Sequence, residues 1–295
     1  MRDEALFAAS VRRELVHKRS VSEVFLTHFV QSSSRRFVAR AQWPRWHVFY
    51  GSPDDSPDSA LMAETLRQAV IFLCHLCGVP LAHKLLMPHM RISVAAATLD
   101  PMVPAQVAVE LNVKDMKLSA GRLSALTVSA RFAIDGAVIG EGAASARIVN
   151  AATYQRLRGA VPAAPEEYGG DLLDCVDVGH ATQRNVMLGQ SQRPFAWPLR
   201  VDPTHPIFFD HPLDHVPGML LVEAARQAVR ASCSRPDADF ALFKAEFTKL
   251  IEFSYPVDVV VTKAGSNNSA GVLKVRMLHN GETLMSLQAW VKDPR

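Results

Sequence analysis

The sequence predicts an α+β fold that occurs twice along the chain, because one helical segment and the strands after it are repeated. Residues 208–229 have a degenerate counterpart at residues 49–70, at a constant offset of 159 residues. At that offset Glu64 matches Glu223, and Arg-Gln-Ala-Val begins three residues after each glutamate. We therefore expect each half to be a buried helix wrapped by an antiparallel sheet. Two such halves can pair their sheets as the subunits of a dimer do, which leaves pockets between them.

The helix of the second half is predicted at residues 219–231, and that of the first half at residues 61–76. Apolar side chains cover nearly all sides of both segments, which is typical of a buried helix. Glu223 and Arg226 are therefore unusual in the second helix, and we expect them to face a pocket or each other.

Alternating apolar and polar residues follow each helix and predict antiparallel strands. Asp135-Gly136 in the first half and Asn280-Gly281 in the second are typical of two-residue hairpin turns. The strands predicted in this way are residues 106–113, 124–134, 137–140, 257–262, 272–278 and 283–291. A segment rich in Pro, Gly and Ala separates the halves. It predicts an N-terminal unit at residues 1–150, a linker at 151–172 and a C-terminal unit at 173–295.

Composition excludes several classes of function. The 295 residues include 32 basic and 29 acidic ones, a balance that does not indicate nucleic-acid binding. No apolar run reaches the roughly 18 residues of a membrane-spanning helix, and the N-terminus lacks the pattern of a signal peptide, so we expect a cytoplasmic protein. The four cysteines are not expected to form a disulfide framework, and Cys74 and Cys77 are expected to pack in the core, late in the first helix.

Polar residues around the second helix are the candidates for chemistry. His211, Asp214 and His215 lie on a loop that leads into the helix, and Glu223 and Arg226 lie one helical turn apart. A buried carboxylate without a partner has a raised pKa, which suits acid–base catalysis, whereas a guanidinium can hold it ionised or bind a phosphate. The alternatives are a buried ion pair that orients the helix, and loop histidines that bond to nearby backbone groups. Without a distant third ligand, this loop does not predict a metal site.

The first half differs from the second at the loop. The same offset relates Pro53 to Pro212 and keeps Glu64 and Arg67, but Ser52 and Ser56 replace the two histidines. This asymmetry predicts two unequal sites.

A basic cluster near the N-terminus contains Lys18 and Arg19. It is either a contact for a substrate phosphate or a carrier protein, or the solvated start of a strand.

Two stretches carry a resemblance to a known family: HKRSVSEVFLT at residues 17–27 and DHPLDHVPGMLLVEAARQ at residues 210–227. The second is similar to hotdog-fold enzymes that act on acyl thioesters, which have a loop histidine, a Pro-Gly helix start and a helix glutamate. Together the two stretches resemble the A-factor biosynthesis (AfsA-type) family, over essentially the whole chain. The resemblance implies a double (tandem) hotdog fold whose halves pair as a pseudo-dimer.

For function, the resemblance implies an acyltransferase that condenses a β-ketoacyl chain from acyl carrier protein with dihydroxyacetone phosphate. The product is a phosphorylated ester, the butenolide precursor of a γ-butyrolactone or related signal, and neither a metal nor an organic cofactor is implied. Glu223 and Arg226 are the expected functional pair, and His211 is a further candidate for the proton acceptor. Glu64 and Arg67 are their counterparts in the first half.

Hotdog dimers combine residues of both subunits in one pocket. By analogy, one pocket here would combine His211 with Glu64, and the other Ser52 with Glu223. Two alternative functions fit the same fold: a β-hydroxyacyl dehydratase or acyl thioesterase, and a catalytically inert acyl-binding protein. Buried arginines argue against the first, since neither elimination nor hydrolysis needs a guanidinium, and the missing histidines of the first half permit the second.

Overall fold

The computed structural model describes residues 4–52, 54–158, 170–263 and 272–293. The chain divides into two units, Met1–Ala160 and Val161–Arg295. This division falls inside the predicted linker, whose first residues form a helix, while residues 159–169 and the repeated Pro53 lie outside the described residues. The bounds of the linker stay a prediction.

The N-terminal unit consists of an antiparallel sheet and a long helix. Its strands are β1 (Leu26–Ser33), β2 (Arg36–Trp43), β3 (Lys84–Val94), β4 (Ala105–Ser119), β5 (Arg122–Ile134) and β6 (Ala137–Val149), and its helices are α1 (Ser59–Leu76) and α2 (Ala151–Arg158). The strand order is β1-β2-β4-β5-β6-β3, and every neighbouring pair is antiparallel.

The C-terminal unit repeats this plan with fewer strands. Its elements are β7 (Ala196–Pro198), α3 (Gly218–Cys233), β8 (Phe240–Phe247), β9 (Asp258–Lys263), β10 (Val272–His279) and β11 (Glu282–Val291). The strand order is β8-β11-β10-β9-β7, again antiparallel throughout. The predicted α+β class, both helices and the six predicted strands are confirmed, whereas the sequence patterns did not indicate β1, β2, β3, β7 or β8.

Both predicted hairpin turns are present. Asp135 and Gly136 join β5 to β6 with φ angles of 49° and 83°, and Asn280 and Gly281 join β10 to β11 with 50° and 80°. Asn, Asp and Gly tolerate this left-handed region, which the two-residue turn of a twisted hairpin requires.

Glycines of β6 allow α1 to lie close to the sheet. A Cβ atom at Gly142 would lie 2.9 Å from Leu66 Cδ2, and one at Gly140 would lie 2.6 Å from Met62 Cε. Larger residues at either position would therefore push α1 away from the sheet. This close packing sets the position of α1, and hence of Glu64, against β6.

The two helix starts are built differently. Asp58 caps α1: its Oδ1 accepts hydrogen bonds from the N–H groups of Ala60 and Leu61 at 2.7 and 2.9 Å, and its Oδ2 accepts one from Gly51 at 2.9 Å. At the start of α3 the corresponding residue is Pro217, which provides no side-chain cap. Among the described residues, none of the helices combines the length and apolar character needed to cross a lipid bilayer.

Candidate active site

Glu223 is enclosed in α3 and bonded through both carboxylate oxygens. Its side chain is 1% exposed. Arg226 approaches Oε2 with Nε at 2.8 Å and Nη2 at 2.7 Å. Gln227 Nε2 and His180 Nε2 both lie near Oε1, at 2.9 and 2.8 Å. Because a carboxylate only accepts, His180 carries its proton on Nε2 in this bond.

These donors determine the charge of Glu223. Burial by itself raises its pKa, but the Arg226 guanidinium and the His180 hydrogen bond outweigh burial and hold the pKa well below its usual range. A raised pKa was expected only for a carboxylate without a partner, and this carboxylate has several. Glu223 is therefore ionised at neutral pH and suits electrostatic and orienting roles better than that of a proton acceptor.

The N-terminal unit contains the same arrangement around Glu64. Arg67 bonds to this carboxylate with Nε at 2.7 Å and Nη2 at 2.8 Å, and Gln68 Nε2 donates to Oε1 at 2.9 Å. Lys18 Nζ lies 3.2 Å from the same Oε1. Burial raises the pKa of Glu64, but Arg67 and Lys18 lower it to well below its usual range.

The two glutamines extend the correspondence to a segment before each helix. Gln68 accepts from Phe25 N–H and donates to Glu23 O, at 3.0 and 2.8 Å. Gln227 accepts from Met187 N–H and donates to Asn185 O, at 2.7 and 2.8 Å. Both segments are therefore held by the same pair of side-chain bonds.

These bonds align residues 13–25 with residues 175–187, at an offset of 162 rather than 159 residues. Short 3-10 turns occupy corresponding places, Val21–Glu23 and Gln183–Asn185. His17 and Gly179, which also correspond, both have positive φ. In this alignment Lys18 corresponds to His180.

Sequence reasoning missed His180. The offset changes by three residues between the helix and this segment, and within the aligned segments only Val16 with Val178 and Val24 with Val186 are identical. The shared signal is structural, since both segments bond to the residue four places after the helix glutamate.

A second buried histidine lies beside this network. His205 Nε2 is 3.3 Å from Asn185 Oδ1, and its ring packs on Phe208 with the centroids 4.8 Å apart. In the N-terminal unit His47 takes the corresponding place, with Nε2 3.4 Å from Glu23 Oε1. Burial lowers the pKa of His205 to about 4, against an opposing effect of Asp202.

We expect His205 to make folding pH-dependent. Its folded-state pKa of about 4 lies below the roughly 6.5 of an unfolded chain, so the unfolded chain takes up a proton between these values and the folded chain does not. The contribution of His205 to the free energy of unfolding is therefore fully present above the unfolded-state pKa. It is lost as the pH falls, by about 2 kcal/mol between pH 7 and pH 5. Urea unfolding at both pH values should show this loss in the wild type and a smaller one in His205→Asn. The exposed His28→Asn is the control, and an equal pH dependence in wild type and His205→Asn would contradict the prediction.

The loop histidines lie at the surface of the C-terminal unit. His215 Nδ1 is 2.6 Å from Asp214 Oδ1, and its side chain is 21% exposed. His211 is 34% exposed, with Nδ1 4.0 Å from Asp210 Oδ2. In the corresponding N-terminal loop, Ser52 donates to Asp54 Oδ1 at 2.5 Å. Within the described ranges, no group of three or more His, Cys, Asp or Glu side chains is arranged to hold a metal ion.

The predicted basic cluster is split between two environments. Lys18 is buried beside Glu64, whereas Arg19 is exposed. Contrary to the alternative of a solvated strand start, the cluster lies between two 3-10 turns, and β1 begins only at Leu26.

Arg226 is buried among ion pairs that the sequence did not predict. Its side chain is 2% exposed, and its Nη1 lies 3.6 Å from Asp239 Oδ1. Asp239 Oδ2 in turn accepts from Lys292 Nζ at 2.9 Å. Arg67, by contrast, keeps 22% of its side chain exposed. This burial supports the ion-pair interpretation of Arg226 and argues against a direct grip on a substrate phosphate.

The profile of one protein family, described as the AfsA A-factor biosynthesis hotdog domain, matches residues 2–150 and 176–287. The chain belongs to the A-factor biosynthesis hotdog family. A family relative from Streptomyces virginiae is 36% identical over 252 residues, which cover 84% of this chain and 85% of that protein. One from Streptomyces griseus is 30% identical over 292 residues, or 96% of both chains. Both are named 2-oxo-3-(phosphooxy)propyl 3-oxoalkanoate synthase.

Solved structures place this family member among tandem hotdog folds. An oleoyl thioesterase structure from Lactobacillus plantarum aligns with a TM-score of 0.56 at 9% identity and covers 90% of this chain and 99% of that one. An acyl-ACP thioesterase structure from Bacteroides thetaiotaomicron aligns with a TM-score of 0.54 at 10% identity, over 86% and 98% of the two chains. These likenesses confirm the predicted hotdog fold and, at such low identity, carry no argument about the reaction.

Proposed function

We propose that this chain is an acyltransferase that moves a β-ketoacyl chain from acyl carrier protein to dihydroxyacetone phosphate. The observation that carries the proposal is membership of a family whose relatives are named for the ester formed in that reaction. In the name, 2-oxo-3-(phosphooxy)propyl is the dihydroxyacetone phosphate part, and 3-oxoalkanoate is the β-ketoacyl part. The ester is a butenolide precursor of a signalling molecule of the γ-butyrolactone type.

The reaction makes three demands on the protein. The hydroxyl oxygen of dihydroxyacetone phosphate attacks the thioester carbonyl carbon, a C–O bond forms and the C–S bond breaks. The carrier thiol leaves with a proton, and the hydroxyl loses one. The site therefore needs an acceptor for the hydroxyl proton, donors for the oxyanion that develops on the carbonyl oxygen, and a cation for the phosphate.

The junction between the loop and α3 suits the first two demands. The imidazole of His211 is partly exposed and is our candidate for the proton acceptor. His215, which is held by Asp214, is the second candidate. Backbone N–H groups at the start of α3, where Pro217 provides no side-chain cap, suit the oxyanion.

Glu223 and Arg226 suit a supporting role beside this junction. Glu223 lies five residues into α3, about 7.5 Å along the axis from Gly218. Its fixed negative charge, held by Arg226, orients the buried polar groups of the C-terminal unit. For the phosphate or the carrier protein, the exposed Arg19 and the partly exposed Arg67 fit better than the enclosed Lys18 and Arg226.

The proposal is tested by incubating the full chain with a β-ketoacyl thioester of acyl carrier protein and dihydroxyacetone phosphate. We expect the phosphorylated ester and free carrier thiol in equal amounts, detected by mass spectrometry and thiol titration. A parallel reaction without dihydroxyacetone phosphate is the control. Thiol release at the same rate in that control would identify a thioesterase, an enoyl product would identify a dehydratase, and acyl binding without turnover would identify an inert acyl-binding protein.

A further inference from the structure

The two glutamate networks differ at two places. In both units the carboxylate is bonded by an arginine three residues later, a glutamine four residues later and a basic side chain from the preceding segment. The basic side chain is Lys18 in the N-terminal unit and His180 in the C-terminal unit. The residue that bonds to the glutamine through its carbonyl is Glu23 in the first and Asn185 in the second.

This double exchange changes the chemical type of both residues. Lysine and glutamate both carry fixed charges at neutral pH, whereas asparagine carries none and histidine is the side-chain type that changes charge between pH 5 and 8. At the Glu64 carboxylate the charged partners in the N-terminal network are Arg67 and Lys18, whereas His47 contacts Glu23 at 3.4 Å. At the bond to the helix glutamate, the C-terminal network has an imidazole where the N-terminal network has an ammonium group.

Hydrogen bonds and close packing fix the backbone just before His180. Arg230 of α3 donates through Nε to Ala238 O at 2.7 Å and through Nη1 to Val178 O at 3.0 Å, which ties the segment before His180 to the helix. Gly179 has a φ of 74°, and a Cβ atom there would lie 2.1 Å from Pro236 O and 2.8 Å from Arg230 Nη1. Because only glycine fits at position 179, this segment is rigid, and it holds the imidazole of His180 beside Glu223.

The charged and titratable groups around the bond come from every element packed against it. Arg226 and Arg230 of α3 lower the pKa of Glu223. His205 lies in the loop between β7 and α3, and the charge of Glu223 raises its pKa, against the larger effect of burial. Asp239, at the start of β8, faces Arg226. At Glu223 Oε1 itself, His180 is accompanied by the uncharged Gln227.

We propose that His180 is a positioning residue for Glu223 whose protonation sets the charge of the C-terminal network, and that this network, not its lysine-containing counterpart around Glu64, serves the reaction. The inference rests on the proposed acyltransferase function. It names the unit that does the chemistry and the group through which pH acts on it.

The test compares three variants of the full chain in the ester assay across pH 5 to 8. His180→Gln keeps an N–H donor but cannot change charge, and His180→Lys copies the N-terminal unit. The control is His279→Gln, because His279 stacks on Tyr255 and lies away from the network. We expect both His180 variants to keep KM within about twofold, to lose at least about tenfold in kcat, and to lose the part of the wild-type pH profile between pH 5 and 8. His279→Gln should match the wild type.

A kcat and a pH profile of His180→Gln equal to those of the control would overturn the proposal. A lower kcat with the wild-type shape of the profile would also overturn it, because it would show a structural role only. Imidazole ¹⁵N spectra give a second readout that needs no turnover. The His180 signal is identified by its absence from the spectrum of His180→Gln. In the wild type its chemical shift should show a proton on Nε2, and this shift should change in Glu223→Gln. If the wild-type signal shows no proton on Nε2, or does not move in Glu223→Gln, the inference fails even where ester forms. If the signal behaves as expected but no ester forms, the proposed function fails, while the bond between His180 and Glu223 is confirmed.

Discussion

Glu223→Gln is expected to lower the rate of ester formation at least about a hundredfold. The amide has nearly the same shape but no charge, so Arg226 loses one of its ionic partners in a fully buried site and keeps Asp239. Its nitrogen must also face either Arg226 or the two donors at Oε1, His180 and Gln227, and none of these can accept a hydrogen bond from it in the observed arrangement. The measurement is initial ester formation by mass spectrometry, on protein whose folded state is checked by circular dichroism.

The matched control for this prediction is Glu282→Gln. Glu282 belongs to the same unit, but its ion pair with Lys249 is exposed, so the same substitution should leave the rate unchanged. Folded Glu223→Gln protein with a rate within threefold of the control would remove Glu223 from the site.

Arg226→Met is expected to lower the free energy of unfolding by about 3–5 kcal/mol. The substitution leaves two buried carboxylates, Glu223 and Asp239, without the guanidinium that lies between them. Glu223 then keeps His180 and Gln227 as donors, neither of which carries a permanent charge. Equilibrium unfolding in urea measures the loss.

Arg67→Met provides the internal comparison for stability. Arg67 is partly exposed, and its partner Glu64 keeps the permanent charge of Lys18 when the guanidinium is removed. We therefore expect a clearly smaller loss than for Arg226→Met. Equal losses would contradict the prediction that the more deeply buried Arg226 pair contributes more to stability.

The pairing of Glu223 with Arg226 illustrates how far the residue pattern reaches. Their spacing of three on one helix predicted contact, and the structure shows it. The pattern could not tell that Asp239 and Lys292 continue the ion pairs beyond Arg226, because these residues come from later parts of the chain. That continuation buries the guanidinium and makes a phosphate contact there unfavourable.

Lys18 and Arg19 show the same limit. Adjacent in sequence and alike in charge, they formed one predicted cluster. The 3-10 turns on either side direct Lys18 to Glu64 and leave Arg19 exposed. Their roles as phosphate or carrier contacts stay predictions, with Arg19 the better placed of the two.

The sequence by itself determined the duplicated α+β plan, the two buried helices and the hairpin turns at Asp135-Gly136 and Asn280-Gly281. These features follow from local periodicity and backbone preference, which are readable within a dozen residues. The tertiary structure alone decided which groups from outside each helix meet the helix glutamates. His180 lies 43 residues from Glu223, and its counterpart Lys18 lies at a different offset. Contacts over such separations depend on how the preceding segment folds back onto the helix, and this is where the two copies of the network acquired different charge chemistry.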